Sequence, residues 1–189
     1  IACLGVSCEV FASRVWLVTF FLFLQSRLPT TETGWSPAAW ATVVALIGVP
    51  AAMFIGEMTV RFDRRRILIG VAVVSAALCV AIGGTVGKSY ELTLALCIAF
   101  GIFSYGRSSS TTAGTLAVSD PKRRGSTLAV QAFVGFSGGI LGPLAYGIAL
   151  DAAGGSGTAV AWGIATLVMA VGPLLTIFAL MMPPPRKNF

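Results

Sequence analysis

The sequence predicts an all-α, polytopic membrane protein of six transmembrane helices. Three observations predict it. Six stretches, at about 1–28, 37–60, 66–87, 91–117, 125–150 and 158–182, are long and apolar, and a bilayer core about 30 Å thick takes about 20 apolar residues of helix to cross. The composition is 56% hydrophobic and 11% charged, with a mean hydropathy of +0.89, a balance that soluble domains do not show. Third, the loop positions that should share one membrane side carry most of the positive charge. The spans and their short loops use nearly all of the 189 residues, so the chain reads as a single bundle over 1–189 with no room for a soluble domain.

The elements follow in order. Span one contains Glu9 and Arg14, which leaves two versions: the whole of 1–28, or a membrane segment Val15–Leu28 with an amphipathic lead-in. The second version is short for a span, so the longer one is taken. Pro37 opens span two between Trp35 and Trp40, Tyr90 opens span four, and Trp162 lies at the start of span six. Tryptophan and tyrosine commonly anchor such ends at the membrane interface. Pro121 and the run Pro183-Pro184-Pro185 punctuate the ends of spans four and six. The loop after span two (Arg61, Arg64, Arg65, Arg66), the loop after span four (Lys122, Arg123, Arg124) and the tail (Arg186, Lys187) hold nine basic residues, against Arg27 and Lys88 in the opposite loops. Positive loops stay inside, so both termini are expected in the cytoplasm and the protein in the inner (plasma) membrane.

Several function classes fall away. The net charge of +6 does not point to nucleic acid, because the basic residues occupy short loops between spans. Histidine is absent, and Cys3, Cys8, Cys79 and Cys97 form no Cys-x-x-Cys pair, so no metal site or disulfide framework is expected. No nucleotide-binding loop and no paired intramembrane carboxylates are present, and neither an enzyme nor a cofactor is expected. The chain starts at Ile1 without a basic, apolar and small-residue leader; this start is expected to be a cut, made by processing or by a truncated reading frame.

Three motifs carry more. Gly56-Glu57-Met58-Thr59-Val60-Arg61-Phe62-Asp63-Arg64-Arg65 resembles the loop signature G-x-L-x-D-R-x-G-R-R of the major facilitator superfamily, with Gly56, Arg61, Arg64 and Arg65 matching and Val60 and Asp63 departing. The physical expectation is a small residue that lets helices approach, with arginines latched to carboxylates and helix ends. Arg124-Gly125 resembles the short loop that opens the family's fifth helix of a half. Gly138-x-x-x-Gly142-Pro143 inside span five resembles its glycine-rich signature, with Gly135, Gly139 and Gly147 alongside. All three occur in the family's order beside the expected spans. The resemblance implies one six-helix half of a major-facilitator fold, and the Gly-Pro span closing on Leu150-Asp151 with the basic tail looks like a C-terminal half. The stretch from Trp16 to Ser26 resembles the first helix of that half in nitrate- and cyanate-type porters. The implied function is a secondary transporter that moves a small solute by alternating access, with an N-terminal six-helix half and the lipid bilayer as partners. The alternatives are a non-transporting six-helix assembly partner, an inactive half, or a half that pairs with itself.

Polar residues inside the spans are the candidate site. Arg107 lies deep in span four, where a charge costs about 2.5 kcal/mol or more, and shares a helical face with Ser104, Thr111 and Gly114. It is read either as a binding cation for an anionic or carbonyl-bearing solute or as a tie to another helix. Gln25 and Gln131 are candidate cavity-lining groups. Glu57 is expected to pair with Arg61, Arg64 or Arg124 at a gate. Glu9 and Arg14 are read as a proton carrier or as headgroup contacts. The span-five glycines allow close helix packing, and Pro143 frees a carbonyl.

Overall fold

A computed structural model describes residues 1–28 and 35–182. The six spans are α1 (Ala2–Arg27), α2 (Pro37–Arg61), α3 (Arg64–Thr85), α4 (Tyr90–Val118), α5 (Arg124–Ala152) and a divided sixth, α6 (Ala159–Met169) with α7 (Val171–Met181). Local chemistry sets their starts. Ser36, Ser89 and Thr158 each accept a bond from the amide three residues on, and Asp63 accepts from the amides of Arg65 and Arg66. A side-chain oxygen at these places satisfies an amide that has no partner in the first turn. Asp63, which departs from the loop signature, is thus the cap of α3. The basic tail at Arg186 and Lys187 and the proline run before it lie outside the described residues.

The first span is one helix from Ala2, with Glu9 fully buried, in agreement with the longer of the two versions. Two details differ from expectation. The sixth span is broken at Ala170, whose amide turns back to Leu167 at 3.1 Å. Pro173 has no amide to give the Met169 carbonyl, and the ladder tightens there. Trp162 is not an interfacial anchor: it is 0% exposed and packs among Trp16, Phe20, Phe23 and Tyr146, with its ring 5.3 Å from that of Phe20. Trp35 remains exposed and lies 5.2 Å from the Trp40 ring.

The helices form two layers. α2, α4, α1 and α5 stand side by side in that order, and α3 with α6–α7 packs behind α4 and α1. α1 therefore has α4 and α5 at its flanks and α3-side helices at its back, and its remaining side forms part of an open front face. Glycine brings the flanking pairs together. A Cβ at Gly142 would stand 2.2 Å from the Cys8 carbonyl oxygen, and one at Gly138 would stand 2.8 Å from the Ser7 Cβ. Gly135, Gly139 and Gly147 face Ser7, Phe11 and Trp16. Pro143 stays inside a continuous α5, and the Trp16 indole donates to its carbonyl at 3.0 Å. Gly101 and Gly106 do the same for α4 against Val44, Ala51 and Ile55 of α2, while Gly5–Gly172 joins the layers backbone to backbone and Gly83–Gly163 does so for α3 and α6 within the back layer. Where lipid removes most of the hydrophobic drive for helix association, such close contact supplies van der Waals attraction in its place. Gly56 is a correction: nothing among the described residues lies within 4 Å of where its Cβ would stand, so close approach is not its role in this bundle.

This difference is measurable. Gly142→Ala should lower the unfolding temperature in detergent, by the equivalent of about 1–3 kcal/mol of overpacking. Gly56→Ala should leave it unchanged or raise it by up to about 1 kcal/mol of helix propensity. Equal responses at the two sites would contradict the α1–α5 packing.

Candidate functional site

Halfway along α1 and α4, two arginines face opposite ways. Arg107 points into the bundle and is 0% exposed. Its Nη2 donates to Glu9 Oε2 in a fully buried ion pair between α4 and α1, and Ser75 Oγ of α3 donates to the other Glu9 oxygen. The carboxylate is thereby shared by three helices, and Gly172 of α7 lies against the Glu9 Cβ. Either charge alone at this depth would carry a large desolvation cost, and pairing removes most of it. Arg107 Nε and Nη1 and the hydroxyls of Ser104 and Ser110 are buried without protein partners among the described residues. Of the two readings of Arg107, the tie to another helix is the one this geometry fits. Glu9 faces inward, away from lipid headgroups.

Arg14 points the other way. Five residues from Glu9, it is about 140° around the helix, and its side chain is exposed on the front face. Its guanidinium carbon stands 5.1 Å from the centre of the Tyr105 ring, and the Tyr105 hydroxyl lies 3.4 Å from that of Ser13.

From this level a groove runs along the front face, between α1, α4 and α5, toward the end of the bundle that carries the basic loops. Its inner part has a volume of about 320 Å³ and is lined by Ser7, Phe11, Ser108, Thr111, Thr112 and Gln131 among others. A wider mouth of about 530 Å³ lies between Ala2, Thr115, Arg123 and Thr127. Gln131 Nε2 donates to Thr112 Oγ1 at 2.8 Å, and Thr111 Oγ1 donates to the Arg107 carbonyl at 3.0 Å. At the opposite end the Trp16–Phe20–Tyr146–Trp162 aromatic cluster packs α1 against α5 and α6.

The five candidate solute contacts therefore separate. Thr111 and Gln131 meet at the groove. Arg107 and Ser104 are sealed in the interior. Gln25 is at the other end, donating to the Tyr90 hydroxyl at 3.2 Å and the Trp35 carbonyl at 3.4 Å. Sequence reasoning missed Ser7, Ser108 and Thr112. The signal was a second hydroxyl face of span four, one residue or about 100° round from Arg107 and Thr111.

At the basic end, Glu57 pairs with Arg61 at 2.7 Å, both exposed, and Arg66 lies 3.8 Å from Asp63. Arg65 donates to the Met181 carbonyl at 2.9 Å, which ties the α2–α3 loop to the end of the sixth span. Arg64 lies along Gly114 of α4, and Arg124 opens α5, exposed.

A family model described as Major Facilitator Superfamily matches residues 2–189. No curated protein and no solved structure matches the chain.

The buried pair has a signature in double variants. Glu9→Gln and Arg107→Gln should each destabilise the bundle by about 3–5 kcal/mol, because each leaves one charge buried alone. The double variant should lose less than the sum of the two, read as unfolding temperature in detergent. Additive losses would mean that the two side chains do not interact.

Proposed function

Because the chain belongs to the major facilitator superfamily and forms a six-helix half of that transporter fold, we propose that it is the C-terminal half of a secondary carrier that moves a small solute by alternating access. In that mechanism two halves rock about a site near the middle of the membrane, exposing it to each side in turn.

The observation that carries this reading is the front-face groove. Hydroxyls of Ser7, Ser108, Thr111 and Thr112 and the amide of Gln131 line it, and it runs from one end of the bundle to Phe11 and Ser108, one turn short of the level of Arg14. Polar and charged groups at that depth face protein or a water-filled cavity rather than lipid. The front layer of α2, α4, α1 and α5 therefore faces a second six-helix half, with the groove between them as the solute path. The basic end, where the groove opens, is assigned to the cytoplasm of a bacterial inner membrane by its charge, which places both termini there. The aromatic cluster then lies toward the outer end, and a groove open at the basic end corresponds to an inward-open state. In this reading Glu57, Arg61, Asp63, Arg64 and Arg65 belong to the inner gate: the Glu57–Arg61 pair and the Arg65–Met181 contact brace that end of this half, and it is this end that meets the other half when the inner side closes.

The test is solute movement. In cells overproducing the full protein, mass-spectrometric profiling of medium and extract should show one chemical class of small solute redistributed within minutes. Ser108→Trp, which fills the groove, should abolish the effect while leaving the amount of protein in the membrane unchanged. A profile identical to that of control cells, or one insensitive to Ser108→Trp, would overturn the transporter reading and favour a non-transporting assembly partner.

A further inference from the structure

The sequence left Arg107 with two readings, a cation for an anionic solute or a tie to another helix, and the buried geometry fits the tie. The Arg107 charge is compensated by Glu9, and no face of it reaches the groove. Arg14 has the opposite properties. Among the described residues it forms no ion pair. It is exposed, and it lies on the one side of α1 that no helix of the bundle covers. As the thirteenth residue of a 26-residue helix, it sits about 18–20 Å from either end, more than the half-thickness of about 15 Å of a bilayer core. A guanidinium so placed is beyond the phosphate headgroups of both leaflets, and lipid tails offer it nothing.

Its position relative to the groove is set by two independent rails. On α1 it is one turn beyond Phe11, and on α4 its neighbour Tyr105 is one turn beyond Ser108; Phe11 and Ser108 both line the groove's inner part. The guanidinium therefore stands one helical turn beyond the inner lining of the groove, on its front-face side. The Tyr105 ring holds one face of the planar group by cation–π attraction, and Tyr105 is itself fixed, 7% exposed, against Gly48 and Gly101 of the α2–α4 contact. A preorganised planar fork of N–H donors without a compensating carboxylate, in a low-dielectric groove, is suited to an anion that takes two donors at once.

Resting on the transporter reading above, we infer that Arg14 is the specificity-determining cation of the carrier and that the solute is a small anion bearing a carboxylate, nitrate-like or phosphate-like oxygen pair. Phe11 and Tyr105 bound it at the inner end, and the hydroxyls of Ser108 and Ser7 face its remaining oxygens on the way to the basic mouth. The mouth, with Arg123 at its rim, carries the same sign of charge and raises the local concentration of such a solute.

Arginine-specific labelling tests this on the wild-type chain. The purified protein in lipid nanodiscs is treated with phenylglyoxal, and each arginine is followed by peptide mass spectrometry in the presence of nitrate, inorganic phosphate or succinate, with glucose and choline as controls. Arg14 should react and Arg107 should not. At least one of the three anions should slow Arg14 labelling saturably, by about tenfold at about ten times its Kd, while leaving the exposed Arg66 unaffected. Glucose and choline should have no effect. Arg14→Lys should weaken that anion's protection of the groove thiol Cys3 against maleimide, and Arg14→Gln should abolish it. An Arg14 that never reacts would show it covered by a side chain of another bundle and overturn the inference, as would an Arg14 that reacts but is protected by none of the three anions. Redistribution of a neutral or cationic solute in the cell profile alongside either result would leave the transporter reading standing and remove the anion alone.

Discussion

The bundle depends on one ion pair. Arg107 and Glu9 sit on different helices in the middle of the membrane, both fully buried, where neither could remain charged alone without a cost of several kcal/mol. Their pairing fixes how α4 faces α1, and Ser75 extends the contact to α3. A buried ion pair is weak evidence for stability against an apolar replacement, but it punishes every rotation or register shift that separates the partners. In a bilayer, where apolar faces of different helices are nearly interchangeable, that penalty is what selects one packing. The glycines then determine how closely the selected faces meet, as at Gly142 against the Cys8 carbonyl.

The same pair divides the polar residues by environment. By taking Arg107 and Glu9 inward, it leaves the α1 front face with Arg14, and it leaves α4 with Ser108 and Thr112 turned to the groove. Two arginines that look alike in a hydropathy profile thus have opposite electrostatic roles. One is paired in the interior between layers, and the other is exposed on the front face beside an aromatic ring. The aromatic packing around Trp162 and the arginine contacts around Asp63 and Met181 brace opposite ends of the same bundle.

Much of this was legible in the sequence, for physical reasons that can be named. Span number and boundaries follow from apolar length, and the packing face of α5 follows from the four-residue spacing of Gly138 and Gly142. The need for an internal partner of Arg107 follows from the cost of a charge at its depth. The partner itself was not legible. Glu9 is 98 residues away in the chain, and nothing local distinguishes it from a carboxylate at an interface. Ser104 and Thr111 lie on nearly the same side of one helix, yet Ser104 is sealed and Thr111 opens on the groove, a difference that depends on how the neighbouring helices pack and not on the local sequence. The break in the sixth span had its signal in Pro173, and the Gly5–Gly172 and Gly83–Gly163 contacts had none, since isolated glycines become a pair only after the helices are placed.

The measurement that bears most directly on this account is a charge swap between Glu9 and Arg107, read as unfolding temperature of the intact protein in detergent. The account predicts that Glu9→Arg and Arg107→Glu, each of which buries two like charges together, lower that temperature strongly, and that the two substitutions combined recover much of the loss. A swapped chain no more stable than the weaker single variant would mean that no ion pair joins α1 to α4, and the separation of the two arginines built on it would fail.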